Sequence, residues 1–250
     1  MGDGLATRMK FGVVTPSTNT IVQPEYDDLR PLGVTNHVGR MHIPDDPVTN
    51  DADFDELIRR IDVALEEAVD RVMTCKPDHM ILGISAESIW EGGLEAAQKV
   101  KARMVERSGG LGVTLAADAL PAALKAHGVT GKVGLLTPYM PTAQQHIQKF
   151  MDDIGYDVSS MVHLKCGGPV VIAHATRTEL REGLEKLVDE GADAIIQFGA
   201  NLPMGRFAAI AEAWLERPVI CVNVATYWHA LRVNNINDRV GGYGALMERF

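Results

Sequence analysis

The residues best suited to chemistry stand where an apolar run stops. "ILGISAESIWEGG" (81–93) passes from a buried-strand pattern into Ser85-Ala86-Glu87-Ser88. A serine two residues before a carboxylate offers two chemistries: a nucleophile with Glu87 as its base, or a donor set for an anion. Helix-start amides would favour the charged form of Glu87 and weaken it as a base. Other apolar runs end in the same residue types. Thr15-Pro16-Ser17-Thr18-Asn19 follow the first, and Thr137-Pro138-Tyr139, Cys166-Gly167-Gly168 and Gly199-Ala200-Asn201 follow later ones. Asn223 and Thr226 lie near the last. The set is rich in hydroxyls, amides and small residues, with few cations and no phosphate loop. A small carboxylate held by backbone N–H groups and hydroxyls suits it. Each residue taken singly also fits a turn or a helix cap.

The elements behind these positions alternate. Short β-rich runs at 11–15, 34–43, 79–84, 112–116, 132–137, 158–165, 193–198 and 219–224 read as strands. Apolar residues at three- and four-residue spacing predict helices over 54–73, 94–107, 119–128, 142–155, 177–191 and 205–216, with a last one near "ATYWHALR" (225–232). Strand–helix alternation predicts an α/β fold of parallel sheets flanked by helices. Ligands of such sheets bind beyond the carboxyl ends of the strands.

The chain also repeats itself. "KFGVVTP" (10–16) and "KVGLLTP" (132–138) match at Lys, Gly, Thr and Pro, and "KPDHMILGI" (76–84) falls in the same slot as "EGADAIIQFG" (190–199). A period of this length is too long for a solenoid and predicts two pseudo-symmetric lobes with the site in the cleft between them. The expected division is a flexible lead-in at 1–9, lobe one at 10–116 plus 224–250, and lobe two at 117–223.

Composition narrows the class. A net charge of −9 argues against a nucleic-acid footprint or a polybasic membrane signal. No apolar run reaches the ~18 residues of a membrane span, and no secretory signal opens the sequence. Three widely spaced cysteines, Cys75, Cys166 and Cys221, fit a reduced cytoplasmic protein and form no zinc pattern. The eight histidines show no metal spacing. The expectation is a chain without metal or cofactor.

"VVTPSTNT" (13–20), "LLTPYM" (135–140), the strand-end slots at Ser85 and Gly199, and "GGYGAL" (241–246) resemble the aspartate/glutamate racemase superfamily, in its maleate isomerase and arylmalonate decarboxylase branch. The resemblance runs from Phe11 to the C-terminus. It implies a cofactor-free site between two lobes, small-acid substrates, a dimer or higher homo-oligomer, and carboxylate binding by Asn19, Tyr139 and the amides around Ser85 and Ala86. One departure stands out. The family's racemases and maleate isomerases place a cysteine at each of two slots, and arylmalonate decarboxylase keeps the second; here the slots hold Ser85 and Gly199.

The proton-transfer role therefore needs other candidates. A serine hydroxyl is far less acidic than a thiol and needs a base. Glu87 is nearest in sequence, and Asp118 falls where the family shows Ser or Thr; both also fit helix caps. Cys166 ends a strand before two glycines, in a loop that supplies a polar ligand in maleate isomerases. His163 and His174 flank that loop. The Tyr139 phenol can donate to a carboxylate or enolate oxygen, and Trp90 could wall a pocket. Ser85, Glu87, Asp118, Tyr139 and Cys166 are the catalytic candidates. Pro16, Ser17, Asn19, Ala86, Thr137, Gly199, Ala200 and Asn201 are the expected substrate-binding set. The resemblance implies a cofactor-independent isomerase or lyase acting on a small mono- or dicarboxylic acid through an enediolate or carbanion-like state. The alternatives are a carboxylate-binding protein that lost its chemistry with its thiols, and a hydrolase using Ser85 or an activated water.

Overall fold

The structure is a computed structural model that describes residues 3–86 and 93–250. Glu87 and Trp90 lie outside the described residues. Two four-stranded parallel sheets form the centre. The first contains β1 (Met9–Pro16), β2 (Val34–Met41), β3 (His79–Leu82) and β4 (Val113–Thr114), in the order β2-β1-β3-β4. The second contains β5 (Val133–Thr137), β6 (Val158–His163), β7 (Ala194–Gln197) and β8 (Val219–Cys221), in the order β6-β5-β7-β8. The two orders are the same, so the repeat seen as "KFGVVTP" and "KVGLLTP" lies on topologically equivalent strands. In each sheet the strand order reverses between the first and third strands, where a parallel sheet opens a crevice.

Helices cover the sheets: α1 (Val22–Leu29), α2 (Asp51–Met73), α3 (Leu94–Arg107), α4 (Ala116–Ala126), α5 (Gln144–Asp153), α6 (Arg177–Asp189), α7 (Gly205–Leu215), α8 (Val222–Val233) and α9 (Ala245–Arg249). Local signals explain their starts. The Asn50 side chain accepts the N–H of Asp53 and opens α2, and Thr176 with Glu179 forms a capping box on α6. Leu65, Ala68 and Val69 on the C-terminal half of α2 are fully buried against the first sheet, a burial of about 1.5–3 kcal/mol for the leucine alone. The last helix crosses back: α8 follows β8 but packs on α4 and α1.

Two expectations need correction. No helix was anticipated at 22–29, because eight residues with a proline inside give too short an apolar period to read; Asn19 supplies the missing start signal, its Oδ1 accepting the N–H groups of Ile21 and Val22. The strand expected over 219–224 ends at Cys221, so Asn223 and Thr226 sit in the first turns of α8. At the other end, β1 begins at Met9, within the expected lead-in, and Arg8 pairs with Asp238 at 2.5 Å. No described helix is long and apolar enough to cross a membrane.

Candidate active site

The site grows from the ends of β1, β3, β5 and β7. Beyond them a small cavity of about 70 Å³, partly open to solvent, lies between the lobes. Lobe one contributes Pro16, Thr18, Asn19, Ile84 and Ala86; lobe two contributes Tyr139, Cys166, Ala200 and Asn201. The two rims face each other. They are also stitched together: Val48 N–H donates to Gly167 O at 2.9 Å, and Val170 N–H to Asp45 Oδ1 at 3.1 Å.

The segment 199–201 is anchored at three consecutive residues. Gly199 N–H donates to Ser85 Oγ at 3.0 Å across the lobes. Asn223 Nδ2 donates to Ala200 O at 3.0 Å. Asn201 Oδ1 accepts Thr20 N–H at 2.9 Å while its Nδ2 donates to Pro169 O at 2.9 Å. Ser85 Oγ also lies 3.4 Å from the Tyr139 hydroxyl, whose ring packs edge-on to Phe54 with centroids 5.4 Å apart. Burial pushes the Tyr139 phenol up to about 12, so it stays a donor through neutral pH. Burial, then Glu179, also raises the Cys166 thiol above its usual range.

The expected residues fall into layers. Pro16, Asn19, Ala86, Tyr139, Cys166, Ala200 and Asn201 line the cavity. Ser85, Ser17, Thr137 and Gly199 stand behind that lining and hold it. Ser17 Oγ and Ile43 exchange hydrogen bonds, Oγ donating to Ile43 O at 3.2 Å and accepting Ile43 N–H at 3.0 Å. Thr137 Oγ1 accepts Tyr139 N–H at 3.3 Å. Asp118 is not brought to the cavity. Its carboxylate takes Lys101 Nζ at 2.9 Å and Leu115 N–H at 3.2 Å at the start of α4. His174 is exposed and His163 half-buried in β6, and neither lines the cavity.

Ser85 and Gly199 are not internal equivalents. Gly83 N–H bonds to Val14 O just as Phe198 N–H bonds to Leu136 O. Counting on from these, Gly199 matches Ile84, and Ser85 matches Ala200. The two named slots touch each other instead of mirroring each other. Gly199 has φ +93°, and a Cβ there would meet Pro138 Cδ at 2.4 Å.

Sequence reasoning missed the apolar half of the cavity. Phe54, Leu57, Ile58 and Ile61 line it from α2, with Ile43, Val48, Met140 and Ile172 nearby. Their i, i+3, i+4, i+7 spacing is visible, but a stripe facing a cavity and a stripe facing a core look alike in sequence. Among the described residues, no lining side chain is charged. Among these residues, the donors open to an anion are all neutral. Asn19 is well set for this. Its Oδ1 is used in capping α1, which leaves Nδ2 as a donor with no acceptor among the described residues, and Arg40 Nη1 donates to its backbone carbonyl at 2.8 Å. Among the described residues no group of three His, Cys, Asp or Glu side chains is placed to hold a metal ion.

The arylmalonate decarboxylase family model matches residues 52–247. The chain belongs to the arylmalonate decarboxylase family. The relationship extends beyond the matched span. A maleate isomerase of Alcaligenes faecalis is 25% identical over 95% of this chain and 96% of its own length. Two solved structures share the fold. A Nocardia farcinica maleate cis-trans isomerase, a cysteine-to-serine mutant with a covalently bound succinylcysteine intermediate, superposes with a TM-score of 0.84 at 21% identity, covering 97% of this chain and 99% of that one. A mutant of arylmalonate decarboxylase in its liganded form gives 0.80 at 19% identity, over 97% and 100%. This member of the arylmalonate decarboxylase family thus shares an α/β architecture with isomerases and lyases alike.

Proposed function

We propose that the protein is a cofactor-independent lyase that decarboxylates a substituted malonate-type diacid through an enediolate. One observation carries this reading: the cavity is lined by hydroxyl and amide donors at Tyr139 and Asn19, while the side chains that α2 adds, Phe54, Leu57, Ile58 and Ile61, are all apolar. A maleate-like diacid would need donors for both carboxylates. A malonate-type acid needs them for one. The second carboxylate, pressed against Phe54, Leu57 and Ile58, loses its hydration and gains by leaving as neutral CO2.

The bond between the α-carbon and the leaving carboxylate breaks, and its electron pair passes onto the α-carbon and the retained carboxylate. The resulting enediolate is held by Tyr139 O–H, Asn19 Nδ2–H and the backbone amides near Ser85 and Ala86. The Cys166 thiol then gives its proton to the α-carbon and recovers one from water. A thiol kept protonated by burial suits a proton donor. The succinylcysteine of the Nocardia relative requires a cysteine nucleophile; here the expected slots are a serine and a glycine. A lone binding role would leave the cavity thiol unused, and the buried Ser85 Oγ, which accepts the Gly199 N–H behind the cavity lining, is placed as a support for the rim.

The test is turnover of methyl-, phenyl- and alkylmalonates, maleate and aspartate in D2O, followed by NMR. CO2 release with one deuteron at the product α-carbon is expected from a malonate. Conversion of maleate to fumarate without malonate turnover would reject the reading. The same proposal includes a cytoplasmic homo-oligomer, favoured by the unpaired thiols and by the exposed Ile210 and Trp214 on α7.

A further inference from the structure

Glu25 is a carboxylate that the reaction above does not use. It stands on α1, part-buried, in a groove bordered by Asp28, Arg206 and Tyr243. Its two oxygens have separate donors from the second half of the chain. Gly205 N–H, at the start of α7, donates to Oε1 at 2.7 Å. Asn223 Nδ2 donates to Oε2 at 2.7 Å. The same Nδ2 donates to the carbonyl of Ala200 at 3.0 Å, and Ala200 lines the cavity.

We propose that Glu25 is a positioning residue whose ionised carboxylate, acting through Asn223, fixes the Ala200 carbonyl and so sets the second-lobe rim of the carboxylate site. The functional consequence rests on the reading of the cleft given above; the geometry does not. The orientation of Asn223 supports it. Turning that amide over would set Oδ1 against the Ala200 carbonyl, acceptor against acceptor. Glu25 must therefore present an acceptor to Nδ2 and a second one to Gly205 N–H. A carboxylate does both. A protonated carboxyl or a glutamine does one.

The surroundings make this group responsive near neutrality. Burial pushes the Glu25 carboxyl up to about 7; its bonds from Asn223 and Gly205 pull it down, and Asp28 one turn on pushes it up. Tyr26, Tyr243 and Cys221 also face it, and burial raises all three, leaving them neutral. Arg206, from α7, is engaged by Asp28 at 2.9 Å and stacked on Tyr243 at 4.7 Å. Below pH 7 one oxygen of Glu25 becomes O–H, one of the two donors loses its acceptor, and the rim loosens.

The test uses malonate as probe, by calorimetry between pH 5.5 and 8.5, with amide NMR of the wild-type protein over the same range. Wild-type affinity is expected to fall several-fold from pH 8 to pH 6. Glu25→Gln is expected to bind about tenfold more weakly at pH 8 and to lose that pH dependence. The amides of Gly205 and Asn201 are expected to titrate with a midpoint near 7 in the wild type. A Glu25→Gln protein that binds as the wild type, with the same pH dependence, overturns the proposal. If malonate does not bind the wild type, the reading of the cleft fails, and the positioning role is judged by the Gly205 and Asn201 amides: a shared midpoint near 7 supports it, flat shifts overturn it. The wild-type titration also decides the matter if Glu25→Gln does not fold.

Discussion

The amide of Gly199 donates to the hydroxyl of Ser85 at 3.0 Å, joining the third strand of one lobe to that of the other. Both residues are buried. Ser85 thus acts first as an acceptor that holds the second lobe's rim, with its Oγ 3.4 Å from the Tyr139 hydroxyl. Ser85→Ala would leave the Gly199 N–H buried without its acceptor. A loss of about 1–3 kcal/mol is expected in urea unfolding, together with weaker binding of small carboxylates. Unchanged stability and unchanged malonate affinity would show that the contact does no work.

Placing a thiol at Gly199 is not expected to introduce thiol chemistry. Gly199 occupies φ +93°, and a Cβ there meets the Pro138 ring at 2.4 Å. Gly199→Cys is expected to destabilise by about 1–3 kcal/mol from backbone strain alone, and further from the clash. Adding Pro138→Ala should recover part of the melting temperature by removing the clash while leaving the strain. Neither protein should convert maleate to fumarate; a Gly199→Cys protein as stable as the wild type and active on maleate would contradict this.

Tyr139 and Cys166 are expected to separate kinetically. Tyr139→Phe removes one donor to the developing enediolate and should lower kcat by about 10²–10³, with no alkaline limb from this phenol in the wild type below its value of about 12. Cys166→Ala should spare malonate binding and slow α-carbon protonation, read as a lower kcat at an unchanged dissociation constant. Equal kcat in wild type and Cys166→Ala would remove the thiol from the mechanism.

Acid stability should report on His79. Its Nε2 lies 2.9 Å from Thr114 Oγ1, and burial, with smaller contributions from His229 and Lys101, holds the imidazole down at about 4. The folded value is below the unfolded one, so the folded protein binds fewer protons between these two values. The contribution is present above pH 6.5 and lost as pH falls towards 4, by about 3 kcal/mol at most. His79→Gln, which does not titrate, should show a shallower fall of the urea midpoint between pH 6.5 and 4. Parallel curves would assign the acid loss elsewhere.

Local pattern carried much of the fold. The α3 boundaries, 94–107, are the same in sequence and structure, because Gly93 before it and Ser108 after it bracket a clean amphipathic period. Parallel α/β order followed from strand–helix alternation, and the two sheets followed from "KFGVVTP" and "KVGLLTP". The cavity was half legible. Asn19, Tyr139 and Asn201 were found because polar residues at strand ends are conspicuous. The α2 stripe at Phe54, Leu57, Ile58 and Ile61 was not, since its period is the same whether it meets a sheet or a substrate. Asp118 looked as available as Cys166 until Lys101, seventeen residues away, claimed it.

Residue type and spacing determined the strands, the helices, their twofold repetition and the neutral, hydroxyl- and amide-rich character of the strand ends, because these depend on neighbours within a few positions. Which of those polar groups meet, and which are spent on holding others, was decided only by the packing of one lobe on the other. Gly199 on Ser85, Asn201 on Thr20 and Asn223 on Glu25 are each separated by more than a hundred residues. No local pattern encodes such a pairing, since its partners come into range only when two sheets and their helices are already in place.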